Sequence, residues 1–530
     1  MKKIVRRILI VIPAAALQVL WLLLLVKWLA PYTALITLTM SVAAFFFVLY
    51  IIIKREERTY KILWLLVILT FPLPGALFYL FFGNKRTAKP LGKRLEKVKE
   101  AGTPKPLCIG AVPFDGGHRM EQTLRWLERK TGYPLMRAGQ VRYYALGDDM
   151  MPDMLEDIKR AHSFIYLEYF IIEPGRLWDS MAAVLEDKAA QGLDIRVMYD
   201  DLGSISTFNM DNVRQLRSKG IKCVPFNPLI AVKGTVNYRD HRKMLIVDGE
   251  TAYSGGVNLA DRYANIEQPY GHWKDTGFRV TGEPAQSFTH MFLTFWNAFS
   301  LQNNLPQPEL KEPRLPAPET ENGYILSYYD SPLNREASSN QLYIDLLSQS
   351  TDYAWFFTPY LMPGDELLDA MACAAHRGVD VRIIMPGIPD KKLIFRMSRS
   401  FYQALLTEGV KIYEYTPGFV HAKSFVSDDV VGTIGTVNLD YRSLFLHFEN
   451  NSLFYRSNII AELKDDFLST QAKCRQVQPY DIKHYAVRWI VDGILRIFAP
   501  LCHQPMERCK CISDNGTVNG KRSDNLQGHF

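Results

Sequence analysis

Three apolar stretches open the chain, over 8–30, 32–53 and 62–82. As helices, each is long enough to cross about 30 Å of hydrocarbon. The first two meet at Pro31 and read as a transmembrane hairpin over 8–53. The third carries Pro72, Pro74 and Gly75 at its centre, which favours a re-entrant or interfacial segment over a straight span. A cleaved signal peptide is the competing reading of the first stretch, with Lys2, Lys3, Arg6 and Arg7 as its basic leader. That stretch is long for such a peptide, and a second follows at once. Residues 1–92 are therefore expected to form a membrane module.

The pattern then changes. Residues 93–136 are basic and hold Pro104, Pro106 and Pro113, a linker composition. From 137 onward, short apolar runs alternate with helical patterns, as in an α/β domain. The run 163–172 (SFIYLEYFII) reads as a buried strand, 177–192 as a helix closed by Gly192, and 194–199 (DIRVMY) and 243–248 as further strands. The order then repeats, with a strand at 353–360, a helix at 365–378 and a strand at 380–385 (DVRIIM). QGLDIRVMYD and RGVDVRIIMP match by eye. Between the copies, 303–322 is a second proline-rich linker. The fold class is α/β with an internal duplication, in units 137–302 and 323–485. Residues 486–530 hold an amphipathic segment suited to a core or a membrane surface, then a polar tail read as disordered.

Charge sharpens this picture. The net charge is +7, and Lys85, Arg86, Lys89, Lys93, Arg94, Lys97 and Lys99 crowd the end of the third stretch. A solvated helix is one reading. Contact with anionic lipid headgroups is the other, at about 1 kcal/mol per basic residue. A re-entrant third stretch would put both basic clusters on the cytoplasmic side, giving a multi-pass protein whose α/β units face the cytoplasm. The seven cysteines form no disulfide framework, and Cys502, His503, Cys509 and Cys511 fit no structural zinc spacing well.

The candidate chemistry is also duplicated. His241, Lys243 and Asp248 recur at the same spacing as His421, Lys423 and Asp428. Each set is followed by a small-residue turn and an asparagine, Gly255-Gly256-Val257-Asn258 and Gly435-Thr436-Val437-Asn438. On a strand, residues two apart share a face, so each His projects beside its Lys. Lysine offers a point charge to a phosphate oxygen, and the asparagine amides offer N–H donors. Two such sets around one phosphorus would stabilise the charge that grows during in-line attack. One histidine would attack as neutral imidazole and the other would carry protons.

The candidate catalytic residues are therefore His241, Lys243, Asp248, His421, Lys423 and Asp428. Asn258, Asn438 and Thr436 are candidate phosphate ligands. Each histidine needs a partner for its second ring nitrogen. Asp275 in HWKDTGF and Glu449 in HFENNSLF are the candidate orienting carboxylates. Within the catalytic set, Asp248 and Asp428 lie near the far strand ends, where bracing the fold is the expected role. His162, His376 and His447 are read as ordinary histidines. No cofactor or metal is expected, because the lysines already supply positive charge.

These paired motifs and turns resemble the phospholipase D superfamily over about 137–480. The chain departs from its Gly-Ser-x-Asn turn at Gly256, which has no hydroxyl, and at Thr436, which keeps one. With the N-terminal stretches and the run WLLVILTFPLPGALFYLFFG, the chain is similar to bacterial cardiolipin synthases of that superfamily over roughly 35–500. The resemblance implies two duplicated domains packed about a pseudo-two-fold axis. It implies transfer of a phosphatidyl group from one phosphatidylglycerol to another, with glycerol released and a phosphohistidine formed. It further implies His241 as nucleophile, His421 as acid and base, anionic membrane lipid as partner, and no nucleic acid. A hydrolytic phospholipase D or a synthase with another acceptor would look nearly the same. A nuclease of this fold would carry its basic charge around the motifs. A non-enzymatic scaffold would tolerate the loss of one motif. The Asp-Gly-x2-Ala-Arg run of synthases that use a nucleotide-activated lipid is absent.

Overall fold

Two mixed sheets repeat one strand order. The first runs Val141–Tyr144, Gly277–Thr281, Thr251–Gly255, Lys243–Val247, Phe164–Tyr169, Asp194–Asp200 and Lys222–Phe226. The second runs Tyr324–Asp330, Glu449–Tyr455, Val431–Gly435, Ser424–Ser427, Tyr353–Phe357, Asp380–Pro386 and Lys411–Tyr415. Met136–Arg137 and Cys474–Gln476 extend its two edges. The computed structural model describes residues 13, 16–23, 32–54, 58–83, 89–101, 114–228, 237–300, 322–334, 337–479 and 486–498.

The expected strands fall where the apolar runs lie. Phe164–Tyr169 and Tyr353–Phe357 are buried throughout, because helices and the facing half cover both sides of each sheet. Each pairs in parallel with the strand that follows its crossover helix, Arg176–Ala190 or Asp365–His376. Both helices end at a glycine with φ +93°, Gly192 and Gly378, a conformation that costs glycine least. The next amides close the helix ends, Leu193 N–H on Lys188 O (3.2 Å) and Val379 N–H on Ala374 O (3.1 Å).

One hydrophobic core spans the halves. The helix Glu283–Phe299 is almost wholly buried, and its Phe295 ring meets Phe448 of the second half at 5.0 Å. Two short pairings cross the interface. Gly418–Val420 runs parallel to His272–Lys274, and Asp240 bridges Phe448.

Of the expected 93–136 linker, Pro104, Pro106 and Pro113 lie outside the described residues, and the parts on either side are helical and packed. Lys89–Ala101 packs Leu91, Leu95 and Val98 into the shared core. His118–Thr131 buries Met120, Leu124 and Leu127. Their i, i+4, i+7 spacing is a helical face that the neighbouring prolines and charges obscured. Thr123 Oγ1 also donates to Asp345 at 2.5 Å. Nearly all of the 303–322 linker, Cys502 and the rest of the polar tail lie outside the described residues.

The N-terminal stretches are largely helical where they are described. The 8–30 stretch falls largely outside the described residues, and among those described no helix is long and apolar enough to cross a membrane. Thr33–Ile53 is a helix with Leu35, Leu38, Phe45 and Phe46 exposed. The third stretch folds back on itself as Arg58–Thr70, Pro72–Phe78 and the π-turn Tyr79–Gly83. Pro72 starts the return helix, where a missing N–H costs nothing. Gly75 lets the two helices touch, since a Cβ there would lie 2.6 Å from Val67 O. One face of this hairpin is covered by protein: Ile51, Tyr60, Trp64, Ile68 and Tyr79 form a buried cluster with Tyr441 and Leu446. The amphipathic segment at 486–498 forms the helix Ala486–Phe498, which packs on Lys392–Leu406 and Arg58–Thr70.

Candidate active site

The cross-half pairings place the histidines. His241 N–H donates to Phe448 O at 2.9 Å, which brings the next residue, Glu449, against the His241 ring. His241 Nδ1 lies 2.9 Å from Glu449 Oε2 and 3.0 Å from Oε1. The second half mirrors this. His421 N–H donates to Lys274 O at 2.7 Å, and His421 Nδ1 lies 2.6 Å from Asp275 Oδ2. Each histidine is therefore held by the carboxylate of the opposite half. Counting along the chain from the nearer motif pairs them the other way.

The lysines share these strand ends. Lys243 Nζ donates to His241 O at 2.5 Å, and Lys423 Nζ donates to His421 O. Both are buried. The two motifs form one electrostatic site, because each lysine acts on the histidine of the other half. Burial, then Lys243 and Lys423, hold His241 well below its ordinary range. Burial and Lys423 push His421 down to about 3 against the pull of Asp275. Burial lowers Lys243 to about 8 and Lys423 to about 7.

The carboxylates differ. Burial pushes Glu449 up to about 8, opposed by Lys243 and by the Ser443 and Thr436 hydroxyls. For Asp275 the upward push of burial is outweighed by His421 and Lys423, which hold it below its usual range.

The turn residues explain the departure at Gly256. Thr436 Oγ1 donates to Glu449 Oε2 at 2.5 Å. Its hydroxyl thus supports the carboxylate, a correction to its expected place on the phosphate. In the first half a Cβ on Gly256 would lie 1.9 Å from Asp275 Oδ1. The pairs are matched in size: aspartate stands against glycine, and glutamate against threonine. Asn258 Oδ1 accepts from Ile171 N–H at 3.0 Å, which fixes its NH2 as the outer end of the amide. Asn438 Nδ2 donates to Asp440 Oδ2 at 3.0 Å.

Asp248 and Asp428 leave the catalytic set. Asp248 accepts from the amides of His162 (3.0 Å), Ser163 (2.8 Å) and Phe164 (2.9 Å). Asp428 accepts from those of Thr351 (2.8 Å), Asp352 (3.1 Å) and Tyr353 (2.9 Å). Each pins the start of the neighbouring strand from a positive-φ turn.

Nothing in the sequence singles out Ser443, and His447 reads there as an ordinary histidine. Ser443 Oγ donates to Glu449 Oε1 at 2.5 Å. His447 and Trp273 stand two residues before Glu449 and Asp275, an offset visible in the motifs themselves. The His447 ring lies 5.8 Å from His241, and the Trp273 ring 5.3 Å from His421. The donor atoms of His241, His447 and Glu449 lie within 4.8 Å of one another, a donor set that zinc accepts. Two hydroxyls and His241 already surround Glu449, and the buried lysines oppose a cation there.

Behind the first motif, Arg239 pairs with Asp200 (2.9 Å), and Arg242 with Asp240 (2.9 Å) and Glu168, all buried. Ala422 stands where Arg242 does, so the second half lacks this brace.

With that geometry in view, the comparisons are decisive. Residues 154–291 and 343–470 match the family described as "Cardiolipin synthase, PLD-like domain". The chain belongs to this family. Residues 42–84 match a "Phospholipase_D-nuclease N-terminal" region. Similar proteins include an uncharacterised protein of Streptococcus mutans, 38% identical over 86% of this chain and 99% of the other. A cardiolipin synthase of Geobacillus kaustophilus is 32% identical over 89% of this chain and 95% of its own. The crystal structure of a phosphatidylserine synthase from Haemophilus influenzae shares the fold, with a TM-score of 0.55 at 16% identity over 72% of this chain and 98% of that one.

Proposed function

We propose that this protein is a cardiolipin synthase that joins two phosphatidylglycerol molecules through a phosphohistidine. The observation that carries the mechanism is the crossed pairing of each motif histidine with the opposite half's carboxylate. His241, kept neutral, attacks the phosphorus through Nε2. His421 gives a proton to the departing glycerol oxygen. The P–O bond to glycerol breaks, and phosphatidyl-His241 forms. His421 then takes the proton from a hydroxyl of a second phosphatidylglycerol, whose oxygen displaces His241 and completes the product. Lys243, Lys423 and the amides of Asn258 and Asn438 stabilise the charge on the phosphoryl oxygens.

The asymmetry of the carboxylates supports this division. Asp275 stays ionised at 2.6 Å from His421 and stabilises its imidazolium. Glu449, pushed up by burial, favours a neutral His241. The incoming phosphate offsets the two lysines and restores proton affinity to His421. Exposed apolar side chains on Thr33–Ile53 and exposed Lys93, Arg94 and Lys97 suit contact with an anionic bilayer. We place the protein at the bacterial cell membrane, with the α/β units facing the cytoplasm.

Purified protein in micelles of labelled phosphatidylglycerol, with chelator and no nucleotide, should yield cardiolipin and free glycerol in equal amounts. Phosphatidic acid as the sole lipid product would make it a hydrolase. An absolute need for a divalent ion or a cytidine nucleotide would end the proposal.

A further inference from the structure

The hairpin formed by Arg58–Thr70, Pro72–Phe78 and Tyr79–Gly83 touches the site through one turn of helix. Tyr60 stacks on Tyr441 with ring centroids 5.5 Å apart and planes 12° apart. Both rings are buried, together with Trp64, Ile68, Tyr79 and Leu446. Tyr60 Oη donates to Gly83 O at 3.1 Å, which ties the two ends of the hairpin together.

Tyr441 begins the helix Tyr441–Phe445, five residues long. So short a helix is not held by its own hydrogen bonds, so its neighbours fix its position. It carries the inner parts of the site. Asp440 caps it, accepting from Ser443 N–H at 2.9 Å and from Asn438 Nδ2 at 3.0 Å. Ser443 Oγ accepts from Asn438 N–H at 2.8 Å and donates to Glu449 at 2.5 Å.

The first half builds the same region differently. There the turn after Asn258 is the short helix Asp261–Ala264, packed on Gly147–Arg160 and Arg176–Ala190 of its own domain. Asp261 also accepts from the amides of Arg176 (3.0 Å) and Leu177 (2.8 Å). In the second half the aromatic face of the hairpin takes that place.

We infer that the hairpin is a positioning part of the active site, acting on His241 from Tyr60 through Tyr441, Ser443 and Glu449. A hairpin that meets the lipid thereby sets the geometry of the first-half histidine. This rests on the cardiolipin synthase reading.

The test uses full-length protein and two substrates: phosphatidylglycerol vesicles, and dihexanoyl phosphatidylglycerol kept monomeric, which needs no membrane. Tyr60→Ala should lower kcat on the monomeric lipid by about tenfold or more and leave KM within about twofold. Tyr60→Phe, which keeps the stacked ring, should restore most of the rate. If Tyr60→Ala melts early, Tyr60→Leu keeps the apolar burial without the ring and is judged by the same outcomes. Adding Ser443→Ala to Tyr60→Ala should cost little more than either change alone, since both act on one path. A loss confined to vesicles would make the hairpin an anchor only and overturn the inference, as would additive effects of the two changes. Wild-type protein that transfers on neither substrate would refute the cardiolipin synthase reading instead.

Discussion

His421 feels two opposed forces. Burial and Lys423 drive its proton off, and Asp275 at 2.6 Å draws it back. A phosphate arriving between Lys243 and Lys423 tips the balance, because its charge offsets theirs. The same lysines give the free enzyme a titration that can be measured. They bind phosphate as ammonium ions, and burial has lowered them to about 8 and about 7. As pH rises through that window the ammonium form is lost, so kcat/KM should fall. The acid limb reports His241, which must be neutral, and so should lie below the ordinary histidine range. Bound phosphate raises the lysine values, so the alkaline limb of kcat should sit higher than that of kcat/KM. Glycerol release measured at limiting and at saturating phosphatidylglycerol gives both profiles. A kcat/KM that stays flat to about pH 9 would contradict the buried lysine pair.

At the scale of elements, the two Gly-x-x-Asn turns are matched to their carboxylates. Gly256→Ala would place a methyl 1.9 Å from Asp275 Oδ1 and push that carboxylate off His421. We expect kcat to fall about 10²-fold or more, the usual scale for impaired general acid–base catalysis, with the thermal melting curve as control for folding. Wild-type turnover would show that Asp275 does not orient His421. The need for glycine at 256 was hidden in the sequence, where it looked like a lost hydroxyl. What the sequence did show was local. Alternation of apolar runs with helical patterns gave the repeated strands, and Gly192 and Gly378 marked equivalent helix ends. What it missed depends on contacts between distant segments. The Asp240–Phe448 bridge, 208 residues apart, decides that Glu449 serves His241. The roles of Thr436 and Ser443 follow from that crossing. The helix His118–Thr131 was missed for a different reason, because four apolar residues in a charged stretch give a weak pattern.

Across the whole molecule, the crossing makes each half incomplete. The histidine expected to carry the phosphatidyl group lies in the first half, yet Glu449 comes from the second. The histidine expected to move protons is held by Asp275 from the first. The two carboxylates should therefore fail at different steps, and a labelled phosphatidyl p-nitrophenyl ester separates them. Its leaving group needs no proton, so formation of the covalent intermediate no longer requires His421. With this substrate, Asp275→Asn should form phosphatidyl-His241 at close to the wild-type rate. It should then accumulate labelled enzyme, because deprotonation of the incoming alcohol is impaired. Glu449→Gln should form the label slowly and accumulate none, because the attacking imidazole has lost its orienting partner. Rapid quenching, digestion and location of the label would decide the matter. Label on His421, or accumulation in Glu449→Gln in place of Asp275→Asn, would exchange the two roles. Full turnover with no label in either variant would rule out a covalent intermediate.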